Sequence, residues 1–459
     1  MDGICGIVNF GGNCIKDGGN ERTLALKMAA ADVCSGGIYA GEHAVFAGAP
    51  SVKKTVGGYE FSIVYCGELY NTEDLRNQLT AFGYEFTEFS DSEVLLYAYI
   101  HYGEGCASRL NGRFAFAVWD AMRQSVFLCC DYFGTIPLFY TQTDNMLVFA
   151  ASVRALLNHP GIKPCISRTG LGELFAYSPG RIRGSGIFSG ISELLPCHSM
   201  SVNRKGIRLK SYRSLKSRLH PDNAEETREK LRFLVNDSIQ RRTDLSFPSH
   251  AVLSGECPGM LLPGFYRNTK RFAPFMQGGL MLRKSVLKEA VCQTLALDGC
   301  TAAQYEKVLA EVPYLPGESM DERRRRKTSY LDLCRFTMNI HNTAARISPF
   351  GGVGVRLPLC DFRIIEYVWN IPLKMQLENS LTDGLFKGTA GMPSAEYTHA
   401  VSRALIRAAH DADSPLAAFC DTKKLAALAK NLHNAENLSF AEGLLFINSL
   451  FEDYPVRLI

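Results

Sequence analysis

Fifteen cysteines are the residues in this chain whose type most invites chemistry, because a thiol can ligate a metal, pair into a disulfide or attack an electrophile. Their spacing narrows the choice. No two stand as a CxxC pair, and Cys129-Cys130 is a vicinal pair inside an apolar run, so no structural zinc site is expected. A disulfide framework does not suit 459 residues that begin Met1-Asp2-Gly3-Ile4-Cys5, with an acid and no basic leader. Most of the cysteines therefore read as small buried hydrophobes of a reduced, cytoplasmic protein. The only tight basic run, Arg323-Arg324-Arg325-Arg326-Lys327, reads as a solvated helix face or a loop. Lys+Arg 50 against Asp+Glu 46 leaves a net charge of +4, too mild to argue for nucleic acid. No apolar run reaches about 18 residues, so no membrane span is expected. Hydrophobic residues at 46% and charged residues at 21% describe a globular chain of two or three domains, long enough to bury a core without disulfides or metals.

The elements that must position any chemistry differ between the two halves. Up to about residue 160, short β-branched or aromatic runs predict strands at Ile4–Phe10, His43–Gly48, Phe61–Cys66, Phe114–Asp120, Ser125–Cys130, Leu138–Tyr140 and Met146–Ala150. Helical periodicity begins near Asn71, through Leu75, Leu79 and Phe82, and again at Ser90-Asp91-Ser92-Glu93. There Ser90 or Asp91 can cap and Glu93 can reach back to the first turn. Several strands with two helices between them predict packed sheets with helices outside.

Residues 161–220, rich in Gly, Pro and Ser, read as a connection ending in a hairpin, Ser199–Val202 with Gly206–Leu209. Ala224–Arg242 is an amphipathic helix with Leu231, Leu234, Val235 and Ile239 on one face. The short apolar strand Ala251–Leu253 then runs into Ser254-Gly255. Beyond it helical stretches are predicted at 283–297, 303–311, 328–342, 361–370, 396–410 and 422–450.

Several segments together resemble the asparagine synthetase (glutamine-hydrolysing) family. Cys5-Gly6-Ile7-Val8 is similar to that family's CGIV opening, and Gly67-Glu68-Leu69-Tyr70-Asn71 to NGEIYN. Phe89–Leu96 is similar to TxSDTEVLL, Leu110–Asp120 to LNGMFAFALWD, and Asp131–Tyr140 to DRFGIKPLYY. In the second half, Arg242–Gly255 resembles RRLxSDVPVGxxLSG and Tyr330–Leu333 resembles YLDL. Arg346, Ser348, Gly352, Arg356, Pro358 and Asp361 fall at the spacing of DRxSMxxGLExRxPFLD.

The resemblance implies two coupled sites: an N-terminal-nucleophile glutaminase that releases ammonia, and an ATP-pyrophosphatase-type domain that adenylates a carboxylate for the ammonia to attack. It implies glutamine, aspartate and ATP as small-molecule partners, with Mg. In the glutaminase, the nucleophile would be Cys5, with its own free α-amine as base. Four residues precede Cys5, so that role requires removal of Met1–Ile4; the alternative is a buried strand cysteine. The oxyanion hole would keep the Gly67 N–H but lose its Asn donor to Cys66, a loss of roughly a hundred- to a thousand-fold in rate. Glu68 and Asp91 match the carboxylates that hold the glutamine α-amine; Asp91 can equally be a helix cap. The Arg that should hold the glutamine carboxylate, near residues 32–40, is missing from Asp32-Val33-Cys34-Ser35-Gly36-Gly37.

At the synthetase site the remnant is Ser254, Gly255 and Glu256, with Arg346 and Arg356. Aligned from upstream, the loop Ser254–Met260 has lost the Asp and both Ser of SGGxDSS, Pro258 removes an N–H donor, and Glu256 puts negative charge where phosphate would sit. Aligned from downstream, Leu253–Glu256 with Leu261–Phe265 resembles the later LSGEGADELFGGY. Both alignments hold if an interior on the order of 100 residues is absent. Gly354 stands where the family has Glu, while Arg346 and Arg356 can bind phosphate or carboxylate, or serve as ion pairs. Lys387 falls near the family's KxxLR segment.

The expected architecture is an α+β, αββα sandwich (Ntn-hydrolase-like) over residues 1–205, a linker over 206–223, and an α-rich α/β domain resembling a reduced PP-loop synthetase over 224–459. Three functions compete: an impaired synthetase, a non-catalytic binding or regulatory relative that forms a homodimer or pairs with an intact synthetase, and a specialised amidoligase in the manner of β-lactam synthetases or lasso-peptide cyclases.

Overall fold

A computed structural model describes residues 3–14, 20–31, 37–48, 51–143, 145–178, 180, 182–243, 251–253, 259–261, 275–347, 354–378 and 395–458. The strands are β1 (Ile4–Asn9), β2 (Ile38–Ala40), β3 (Ala44–Gly48), β4 (Ser51–Val56), β5 (Tyr59–Leu69), β6 (Gly112–Asp120), β7 (Ser125–Cys130), β8 (Phe139–Thr143), β9 (Met146–Ala150), β10 (Cys165–Ile166), β11 (Ser192–Glu193), β12 (His198–Asn203), β13 (Gly206–Ser211), β14 (Ala251–Leu253), β15 (Gly354–Arg356) and β16 (Arg457–Leu458). The helices of the first half are α1 (Asn20–Ala31), α2 (Thr72–Ala81), α3 (Asp91–Tyr102), α4 (Val153–Leu157) and α5 (Arg168–Tyr177). Those of the second are α6 (Ala224–Thr243), α7 (Phe275–Val286), α8 (Glu289–Leu295), α9 (Leu297–Ala310), α10 (Met320–Ile347), α11 (Phe362–Asn370), α12 (Leu373–Glu378), α13 (Ala395–His410), α14 (Leu416–Phe419), α15 (Thr422–Ala429) and α16 (Ala435–Asp453).

Two six-stranded sheets form the first half. One runs β11-β8-β9-β1-β3-β2 and the other β13-β12-β7-β6-β5-β4. Strand alternation sorts their side chains into layers. Ile4, Val8, Phe46 and Phe149 of the first sheet meet Val64, Ala117, Trp119 and Met200 of the second between the sheets. Cys5, Ile7 and Val45 turn outward onto Ala25 and Met28 of α1. Ile63, Tyr65, Phe116 and Val118 turn the other way, onto Leu75, Leu79, Val94 and Leu95 of α2 and α3. The order helix, sheet, sheet, helix is the αββα sandwich. Gly6 leaves room for the rings of its neighbours in the same sheet, Phe149 and Phe46, because a Cβ there would lie 2.5 Å from Phe149 Cζ.

The second half is helix-rich. Its described strands include β14 and β15, paired in parallel with Leu253 opposite Arg356. Helices α7, α13, α15 and α16 extend the core outside the first sheet, where Leu280, Leu405, Leu425 and Leu444 join Leu174 and Phe175 of α5. The strand β16 returns to pair with β10, so the last described residues are stitched to the first half.

The structure corrects several sequence expectations. The expected hairpin forms, as β12 and β13 paired along their length, so residues 206–211 belong to the second sheet and not to the linker drawn over 206–223. The Gly-rich stretch before it hides α5, whose buried Leu171, Leu174 and Phe175 make it part of the helical layer. The edge strand β4 escaped notice because Lys53 and Lys54 break its apolar run, as charged residues do on sheet edges. The stretch 283–297 divides where Lys288 N–H donates to Phe419 O, and 422–450 divides where Asn434 caps α16. Ser90 caps α3 as expected, accepting from Glu93 N–H. Glu93 does not reach back, however; its carboxylate takes the Thr87 and Glu88 amides and the Lys54 ammonium instead.

The largest correction is the basic run. Arg325 and Arg326 are 2% and 3% exposed. Arg325 donates to Trp369 O at 2.9 Å and Glu322 Oε2 at 2.7 Å, while Arg326 bonds Glu318 at 2.6 Å. The helix buries one side of the run against α11, and only Arg323 and Arg324 stay exposed.

Candidate active site

Cys5 is the second residue of β1, preceded by the paired Ile4. Its side chain is 1% exposed, and its thiol donates to Ala25 O at 3.4 Å. It lies in the layer between the first sheet and α1.

Gly67 and Glu68 close β5 on the other sheet, opposite Phe114 and Arg113. Gly67 has φ +133°, and a Cβ there would come within 2.1 Å of Arg113 O, so only glycine fits. The turn beyond β5 is pinned at both ends. Asn71 donates to Arg109 O and accepts from Asn111 N–H, both at 2.9 Å.

Asp91 opens α3 on the outer face of the second sheet. Its carboxylate takes the Leu69 N–H at 2.9 Å, the Tyr65 hydroxyl at 3.1 Å and the Thr72 hydroxyl at 2.5 Å. Burial, and then the neighbouring Asp91 charge, push the Tyr65 phenol well above its ordinary pKa, so it stays a donor. The carboxylate thus holds the β5–α2 turn to α3. Sheets stack about 10 Å apart, and two of them separate the Cys5 thiol from Asp91.

The structure joins Glu68 to the second half. Arg356, at the end of β15 and 3% exposed, grips its carboxylate with two nitrogens, at 3.0 and 3.2 Å. Arg356 also donates to Arg242 O. The Arg242 guanidinium lies 4.1 Å from the Tyr70 ring centroid and donates to Cys360 O at 3.2 Å. Burial pushes the Tyr70 phenol up to about 12 despite the nearby Arg242 charge. Arg241 reaches Asp74 at 2.8 Å. Sequence reasoning assigned Glu68 and Arg356 to separate sites and gave Arg242 and Tyr70 no role. Only a spatial pairing reveals this junction.

Ser254, Gly255 and Glu256 lie outside the described residues, as do Pro258, Lys387, Asp32–Gly36 and the side chain of Arg346, whose backbone belongs to α10. Among the described residues no group of His, Cys, Asp and Glu could hold a metal, and no helix is long and apolar enough to cross a membrane.

The layered sheets, with Gly67 and Asp91 on the second of them, are followed by the helix-rich second half. Residues 50–213 match the family described as glutamine amidotransferase domain, and residues 233–436 match asparagine synthase. The chain is thus similar to asparagine synthetases over both matched segments. The first match begins after the strand that carries Cys5. Asparagine synthetase [glutamine-hydrolyzing] 3 of Bacillus subtilis is 29% identical across 81% of this chain and 82% of its own length. That match runs over 503 residues, more than the 459 of the whole chain, so the relative carries a substantial stretch without counterpart here. A protein named amidase chyE, from Penicillium rubens, is 30% identical over 45% of this chain and 30% of its own. A solved glutamine phosphoribosylpyrophosphate amidotransferase from B. subtilis aligns with TM-score 0.34 and 13% identity, over 55% of this chain and 60% of that one.

Proposed function

We propose that this chain is an asparagine synthetase-family protein impaired at both catalytic sites, in which the scaffold outlives the chemistry. The observation that carries this is the placement of Cys5. An N-terminal-nucleophile reaction needs the thiol and a free α-amine on one residue. Here Ile4 acylates the Cys5 nitrogen inside a paired strand, and the thiol faces α1 in the layer outside the first sheet.

The two carboxylates support the same reading. Each would have to release protein partners before it could hold a substrate ammonium: Glu68 its bidentate arginine, Asp91 its three donors. The length of the B. subtilis match supports a synthetase domain that lacks part of its ATP-binding interior. Glutamine, aspartate, ATP and Mg remain the ligands the family resemblance implies, while a binding or regulatory role, alone or beside an intact synthetase, fits the preserved packing.

The test is aspartate-dependent ATP–pyrophosphate exchange by the purified full chain. No exchange is expected. Exchange that Glu256→Ala abolishes would contradict the reading for the second domain.

A further inference from the structure

Where the first half's hairpin meets α9 and α10 there is a cavity of about 330 Å³. That lies within the ~300–1,000 Å³ of small-molecule sites. Its wall brings together Tyr132, Arg183, Arg213, Lys307, Glu311 and Tyr330, three cations against one carboxylate.

The carboxylate is already engaged. Glu311 accepts from Arg183 at 3.3 Å and from the Tyr330 hydroxyl at 3.2 Å. Two cations are left over. Arg213 stacks over Phe362 at 4.7 Å and donates to Ser108 O at 2.7 Å, with no carboxylate partner among the described residues. Lys307, exposed on α9, forms no ion pair with a described residue. The Tyr132 ring is held edge-on against Phe133 and Phe362, and its hydroxyl bonds no described residue. A concave site with surplus positive charge and an uncommitted phenol donor favours an oxyanion, because charge-assisted hydrogen bonds are the strong ones.

We propose that this cleft binds a small multivalent oxyanion, carboxylate or phosphate, held by Arg213 and Lys307 with Tyr132 as a donor. The inference is independent of whether the synthetase chemistry survives. Arg213 follows β13 of the first half and Lys307 lies on α9 of the second, so the bound anion would touch both.

Isothermal titration calorimetry of the full chain at low salt, with citrate and inorganic phosphate as separate probes, tests this. At least one probe is expected to bind saturably, citrate marking a carboxylate site and phosphate a phosphate site. Arg213→Gln or Lys307→Gln should weaken that binding about tenfold or more. Arg324→Gln, an exposed cation outside the cleft, should leave it unchanged. Lys307 is exposed, so its variant retains the fold and keeps the test decisive. Absence of binding by both probes overturns the proposal, as does binding that survives both cleft variants or falls equally with Arg324→Gln.

Discussion

Glu68 and Arg356 stand 288 positions apart and meet in a bidentate ion pair, the carboxylate at the end of β5 and the guanidinium at the end of β15. The pair ties the amidotransferase-type half to the synthetase-type half. Breaking a buried pair strands its partner's charge, which costs more than the pair contributes. Glu68 keeps 29% side-chain exposure, so water screens part of that cost. Arg356→Ala should destabilise the chain by about 2–3 kcal/mol, and Glu68→Gln by less, because Arg356 retains its bond to Arg242 O. Urea denaturation of both variants measures the difference.

Asp91 should behave as a structural residue. Removing its carboxylate leaves the Leu69 amide and the Tyr65 and Thr72 hydroxyls without their acceptor. Asp91→Ala should therefore cost about 2–3 kcal/mol, visible as a lower urea midpoint. An unchanged urea midpoint would contradict the structural role.

Arg325 and Arg324 are neighbours with opposite expected effects. Arg325→Ala removes a buried guanidinium from Trp369 O and Glu322, at a cost of about 3–5 kcal/mol. Arg324→Ala, on the exposed side, should change stability by about 0.5 kcal/mol or less. Thermal melts of the two variants read the contrast directly.

His159 makes stability depend on pH. Burial lowers its pKa below the ordinary 6.5, partly offset by the Glu21 charge. Its Nδ1 accepts from Gly161 N–H at 3.2 Å, a bond only an unprotonated nitrogen can make. The unfolded chain takes up this proton more readily than the folded one. The contribution is therefore complete above about pH 6.5 and is lost as pH falls from there through the folded pKa. Melting temperature should fall over that window, and His159→Gln should flatten the fall.

Much of the first half was legible because sheet and helix periods differ and its packing motifs are long. Leu110–Asp120 alternates so that Ala117 and Trp119 face one layer and Phe116 and Val118 the other. The β4 edge and α5 were hidden for opposite reasons: lysines mask a strand whose far side is wet, and a short helix among glycines has too few turns to show a period. The basic run misled because composition cannot tell which side of a helix is buried; Trp369, 43 and 44 positions from its two partners, decides that. Of the candidate site, the residue types of Glu68, Asp91 and Arg356 were readable, but their partners lie across sheets and domains, where sequence spacing carries no signal.

Ammonia release from glutamine by the purified full chain, compared with its Cys5→Ala variant, tests most directly whether Cys5 is a working nucleophile. A thiol buried between β1 and α1, on an acylated nitrogen, predicts equal background release from the two proteins. Release by the parent chain that Cys5→Ala abolishes would contradict the account.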